Sequence, residues 1–171
     1  MLAEALTMLS LVATAVSAAA VAPRDNWGPP SLCCFTIAEA GSGSPAQFDV
    51  GDLLGNVILG VSGRPDGWFC LDLSSPKKIL YGNGDNACIE AAPDSRFSCL
   101  DPTPGRDQYT LQAGPDGHTL LSVNGGLDYK ACPNPHGAGE MVYGAARSEA
   151  GCRTLQFVAK SLTGTCPGFT G

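Results

Sequence analysis

The side chains able to do acid–base, nucleophilic or metal chemistry are few in this 171-residue chain, and none stands at a spacing such chemistry demands. Histidine is the usual general base near neutral pH. The two present are His118, beside a Pro-Asp-Gly turn, and His136, between Pro135 and Gly137, and both read as exposed loop residues. A nucleophilic serine on a strand-to-helix elbow needs Gly-x-Ser-x-Gly; the nearest strings, Gly41-Ser42-Gly43 and Val61-Ser62-Gly63, lack it and read as turns. Glycoside hydrolysis needs two carboxylates flanking one bond. Asp72, Glu90, Asp101 and Asp116 fall at strand ends or turns, and no spacing selects a pair among them. Asn83-Gly84-Asp85-Asn86 resembles a fragment of a calcium loop without its closing glutamate and reads as an Asx-rich turn. Structural zinc favours cysteines two to four residues apart, a pairing that does not occur here. The expectation is therefore no catalytic residue, no metal and no cofactor.

Binding is a different matter, because an aromatic ring offers an apolar face and a polar edge to a sugar ring. Trp68, Tyr81, Tyr109, Tyr129 and Tyr143 are the candidates. Trp68, Tyr129 and Tyr143 are taken as the stacking set. Trp68 follows an Asp66-Gly67 turn, although Phe69 and Cys70 beside it also fit a core strand.

Such side chains need a scaffold, and the cysteines supply one. Cys33, Cys34, Cys70, Cys88, Cys99, Cys132, Cys152 and Cys166 make an even count that reads as disulfides. Eight cysteines allow 105 pairings. Adjacent Cys33 and Cys34 are expected to reach different partners, because a ring across one peptide bond is strained. Cys132 with Cys152 would close a loop of about 20 residues, which in the chain-entropy description contributes roughly 3 kcal/mol.

Glycine and proline together make 35 of 171 residues, 22 and 13 respectively, a proportion that interrupts long helices and suits short strands joined by turns. Cys34, Thr36 and Ala38 alternate with Phe35 and Ile37 before a Gly-Ser-Pro turn, which reads as a first strand. Ten further apolar runs follow, at 55–61, 67–73, 78–81, 87–90, 97–100, 108–111, 119–123, 129–132, 141–143 and 155–159. Turn strings rich in Pro, Asp, Asn and Gly separate them. This spacing predicts an all-β protein, a single compact disulfide-stabilised β-domain that is β-trefoil-like or a barrel or sandwich. PDGWFCLD at 65–72, PDSRFSCLD at 93–101 and PDGHTLLS at 115–122 resemble one another and hint at a repeated hairpin unit with threefold symmetry.

Residues 6–21 are uncharged, with small residues at their end. They read as a signal peptide, an N-terminal signal helix cleaved after Ala18 with Val16 at the minus-three position. The expected organisation is 1–18 signal peptide, 19–31 flexible N-terminal linker and 32–171 cysteine-rich β-domain. The expected product is extracellular, without a membrane anchor after cleavage, and a monomer. The formal charge is −6 and the longest basic run is Lys77-Lys78, which argues against nucleic acid as a partner because phosphate neutralisation needs a basic face.

The doubled cysteine with Phe35-Thr36-Ile37, the segment Phe97-Ser98-Cys99-Leu100-Asp101, and the hairpin string HTLLSVNGGLDYKACP at 118–133 followed by Val142-Tyr143 and Cys152 together resemble a known pattern. It is that of fungal secreted cysteine-rich cell-wall proteins, related to the C-terminal domain of PIR-type cell-wall mannoproteins. The resemblance spans about 120 residues and rests on cysteines and turns. It implies a non-catalytic cell-wall or surface structural protein contacting wall glucan or other wall proteins. The alternative is a freely secreted interaction protein of effector or allergen-like type. Mannoproteins of that type carry glutamine-rich repeats through which they are esterified to β-1,3-glucan; the sequence has no such repeat, so covalent attachment by that route is not implied.

Overall fold

A computed structural model describes residues 31–51, 54–82, 86–100, 105 and 107–169. The expected signal peptide and all but the last residue of the expected linker lie outside the described residues. Among the described residues there are thirteen strands and no helix: β1 (Cys33–Glu39), β2 (Ala46–Phe48), β3 (Val57–Leu59), β4 (Trp68–Leu71), β5 (Leu80–Gly82), β6 (Asn86–Ala91), β7 (Arg96–Leu100), β8 (Tyr109–Ala113), β9 (Thr119–Val123), β10 (Tyr129–Pro133), β11 (Glu140–Gly144), β12 (Arg153–Leu155) and β13 (Phe157–Gly164). No helix there is long and apolar enough to cross a membrane.

The pairing closes on itself. β1 pairs with β4, β4 with β5, β8 with β9, β9 with β13 and β13 with β1, all antiparallel. The remaining seam, between β5 and β8, is joined where the Tyr109 N–H donates to the Lys78 carbonyl at 2.9 Å. Six strands thus form a barrel, and three hairpins, β2–β3, β6–β7 and β10–β11, cover one end. The second strands of those hairpins meet in a triangle: β3 pairs with β11, β11 with β7, and Asn56 of the β3 edge bridges Ser98 of β7. A six-stranded barrel capped by three hairpins in this chain order is the connectivity of a β-trefoil. It abolishes most sheet edges by closure.

Core chemistry follows the same threefold plan. Phe69, Tyr109 and Phe157 occupy matching inward positions on β4, β8 and β13, all fully buried. Phe97, from the middle hairpin, packs against all three with ring centroids 6.3, 6.0 and 6.4 Å away. Aromatic pairs at such spacing contribute beyond their buried area.

Threefold symmetry is present, but the three Pro-Asp strings do not mark it. They lead into β4, β7 and β9, which are not equivalent in the barrel, so they share turn chemistry only. The run 155–159 divides at Gln156 into β12 and β13, and the short strand β2 adds to those expected.

All eight cysteines are paired: Cys33–Cys166, Cys34–Cys70, Cys88–Cys99 and Cys132–Cys152. Cys33 and Cys34 reach separate partners because alternation sends Cys33 into the barrel core while Cys34 lies on its outer side. Cys34–Cys70 links directly opposed residues of β1 and β4, and Cys88–Cys99 does the same across β6 and β7. Arg153 at the start of β12 adds a polar clasp, binding Glu39 at the end of β1 and Glu140 at the start of β11.

Candidate functional site

The described groups considered for catalysis are scattered over separate turns and strand ends. His118 and His136 are exposed in separate turns, the latter donating its backbone N–H to Asn134 Oδ1 at 2.9 Å. Ser42 donates to Glu39 Oε2 at 2.6 Å, and Ser62 lies exposed in a turn. Asp72 Oδ1 accepts from Ser74 Oγ at 2.6 Å and from the Ser74 and Ser75 N–H groups at 3.0 and 3.1 Å. These bonds, the serine hydroxyl foremost, hold its carboxyl below the usual range, as expected of a turn cap. Asp116 is an exposed turn residue. The Glu90 carboxylate lies against Gly144, where an added Cβ would meet its carboxyl carbon at 2.4 Å. Asp101 and Asn83 to Asp85 lie outside the described residues. Among the described residues no three His, Cys, Asp or Glu side chains gather as a metal site.

Of the three aromatics taken for sugar stacking, the structure removes two. Tyr129 has no exposed surface: its ring packs edge-on against Phe157 at 4.9 Å and its phenol is pushed well up by burial. Tyr143 is 5% exposed, lies in a small outer cluster with Cys132, Met141 and Cys152, and has the Arg147 guanidinium 4.8 Å over its ring. Both are packing residues, because each side chain points to a side of its strand already covered by another layer.

Trp68 is placed differently. Phe69 and Leu71 fill the barrel, so alternation along β4 turns Trp68 and Cys70 outward. On β5 the inward Leu80 leaves Tyr81 outward, directly opposite Cys70. Trp68 and Tyr81 are thus diagonal neighbours on adjacent strands, about 7–8 Å apart at the backbone. Both are half-buried. The Cys34–Cys70 disulfide ties β1 to β4 two residues along from Trp68 and directly across from Tyr81.

Register extends the face sideways. Thr36 on β1 is opposite Trp68 and also opposite Lys160 on β13, giving an outward row Trp68, Thr36, Lys160 across three strands. The next row is Tyr81, Cys70, Cys34, Thr163. The Trp68 indole N–H edge is buried without a hydrogen-bond partner, so its exposed part is ring carbon. The result is an outward patch of aromatic carbon with Thr36, Lys160 and Thr163 on the strands beside it. The Thr36 hydroxyl donates to the Lys160 carbonyl, and the Lys160 ammonium reaches towards Gly43. Aromatic carbon of this kind suits stacking against a sugar ring. Tyr81 belongs to the patch, although it stands outside the expected stacking set; the signal for it is the period-two alternation of Ile79-Leu80-Tyr81, which turns Tyr81 outward because Leu80 faces the core.

Compared with known proteins, no family model matches the sequence, and no curated protein and no solved structure shows significant similarity to it.

Proposed function

We propose that the protein is a secreted, non-catalytic surface protein that holds to cell-wall polysaccharide through the Trp68–Tyr81 face. The observation that carries this reading is that face: two partly exposed aromatics at diagonal positions on adjacent strands, on the outward side of a closed barrel and next to a disulfide that ties β1 to β4. Rigidity of this kind lowers the ordering cost of binding. Four disulfides fit an oxidising, extracellular setting, and the resemblance to the PIR-type wall domain points to the same place. The serine, histidine and acidic groups that a hydrolase would use serve turns and strand ends, which favours adhesion over turnover. Contact is non-covalent in this reading.

A second reading, a freely secreted protein with a protein partner, is favoured by the loop between β2 and β3, where Val50 is 76% and Leu54 46% exposed. Fractionation of the producing organism with an antibody to the mature chain tests the choice. Retention in the wall, with release by detergent or by competing soluble glycan, supports the proposal. Recovery of all the protein in the medium, with none on the wall, overturns it in favour of the second reading.

A further inference from the structure

The barrel has three seams related by its pseudo-threefold axis, β4 with β5, β8 with β9, and β13 with β1. Their registers align residue for residue. The inward aromatics Phe69, Tyr109 and Phe157 stand opposite Gly82, Val123 and Glu39. One step on, the outward pairs are Cys70 with Tyr81, Thr110 with Ser122, and Val158 with Ala38. A further step gives the inward pairs Leu71 with Leu80, Leu111 with Leu121, and Ala159 with Ile37. The residue preceding each inward aromatic is Trp68 in the first seam, Gln108 in the second and Gln156 in the third.

The outward surface of the fold is therefore laid out three times and filled differently each time. Trp68 and Tyr81 make the first an aromatic platform. Gln108 and Ser122 leave the second without a ring, and Ser122 is fully buried. Gln156 and Ala38 do the same at the third, where Ala38 is covered by its bridge to Pro45 and Gln156 donates to Asp128 Oδ1 at 3.0 Å. A glutamine offers hydrogen bonds but no face, and a buried serine or alanine offers neither.

From this layout we infer that the protein binds glycan monovalently: among the described residues the barrel seams carry one platform, at the first seam, for a pyranose chain whose equatorial hydroxyls leave a flat face of C–H groups. The inference rests on the glycan-binding reading above and adds its stoichiometry. A trefoil with three equal platforms would cross-link polysaccharide and gain avidity from simultaneous contacts. With one platform it coats a chain without bridging two, and its hold on the wall is the affinity of a single contact, exchangeable with soluble sugar.

The test titrates the mature, oxidised protein calorimetrically with two soluble probes, a β-1,3-linked glucose hexasaccharide and a β-1,4-linked N-acetylglucosamine hexasaccharide, and follows light scattering when a long soluble glucan is added. The expected result is one site per protein with at least one probe and no rise in scattering at any ratio. Trp68→Ala and Tyr81→Ala should each weaken binding tenfold or more, and Trp68→Phe should restore part of it. Gln108→Ala and Gln156→Ala should change it less than twofold. Native near-ultraviolet circular dichroism of the variants separates lost binding from lost fold. Two or three sites, or glucan cross-linking that survives Trp68→Ala, overturns the single-platform inference while leaving glycan binding intact. No binding of either probe by the wild-type chain overturns the glycan reading itself, and the inference with it.

Discussion

Removing the disulfides one pair at a time should destabilise the protein in the order of the loops they close. The sequence separations are 133 for Cys33–Cys166, 36 for Cys34–Cys70, 20 for Cys132–Cys152 and 11 for Cys88–Cys99. The chain-entropy relation then assigns about 5.0, 3.8, 3.3 and 2.8 kcal/mol at 25 °C. Packing narrows the gap, since Cys33 and Cys88 are equally buried while Cys166 is more exposed than Cys99 and loses less on truncation. The order therefore rests on the difference of about 2 kcal/mol in loop closure. At roughly 2–4 °C per kcal/mol for a domain of this size, Cys33→Ala/Cys166→Ala should lower Tm by about 10–20 °C and Cys88→Ala/Cys99→Ala by about 6–11 °C. The assay is thermal and urea denaturation of each double variant with the other three bonds verified as oxidised. The reasoning is refuted if loss of Cys88–Cys99 costs as much as loss of Cys33–Cys166. That outcome would mean that local packing around the shorter bond, and not the closing of β1 onto β13, dominates.

Three further outcomes follow from particular contacts. Phe97→Ala removes the ring on which the three equivalent aromatics converge and should cost about 3–5 kcal/mol in urea unfolding; a cost under about 1 kcal/mol would show that the threefold core does not depend on it. Gly82→Ala brings a Cβ to 2.5 Å from Cys99 Sγ and 2.8 Å from the Phe48 ring, so it should destabilise by about 1–3 kcal/mol, whereas a neutral result would contradict the packing described around that disulfide. Glu39, held down chiefly by its hydrogen bonds from Arg153, Asp49, held down by the Gly51 N–H and by Arg64, and Asp72 all have lowered pKa values in the fold. A carboxyl depressed on folding stabilises above its unfolded pKa and loses that stabilisation as pH falls through its folded one. Tm should therefore stay level from neutrality to about pH 5 and fall below about pH 4. A Tm that rises between pH 4 and pH 2 would contradict these assignments.

Much of this fold is legible in the sequence because its strands are short and its turns are chemically explicit. Asn124-Gly125 shows why: φ values of 51° and 83° are required there, and those two residues accept them. Each of the eleven apolar stretches overlaps a strand. β2 was hidden because Ala46-Gln47-Phe48 is too short to show a period, and the end of β13 because Lys160 and Ser161 face solvent. The Cys132–Cys152 pair is one the sequence suggests without selecting it among 105 pairings, and the structure contains it. Cys33–Cys166 was not legible, since it depends on the barrel pairing its first strand, β1, with its last, β13. The candidate binding face was half legible for a related reason. A tyrosine reads alike whether it fills a core, as Tyr129 does, or faces outward, as Tyr81 does. Which side it takes depends on the registers of strands distant in sequence.

The most direct test of the account is cosedimentation of the mature protein with insoluble wall polysaccharide, comparing wild type with Trp68→Ala and with Tyr143→Ala. The account predicts that wild type and Tyr143→Ala partition to the pellet and are released by soluble oligosaccharide, while folded Trp68→Ala stays in the supernatant. Equal pelleting of all three, or a loss confined to Tyr143→Ala, would contradict it.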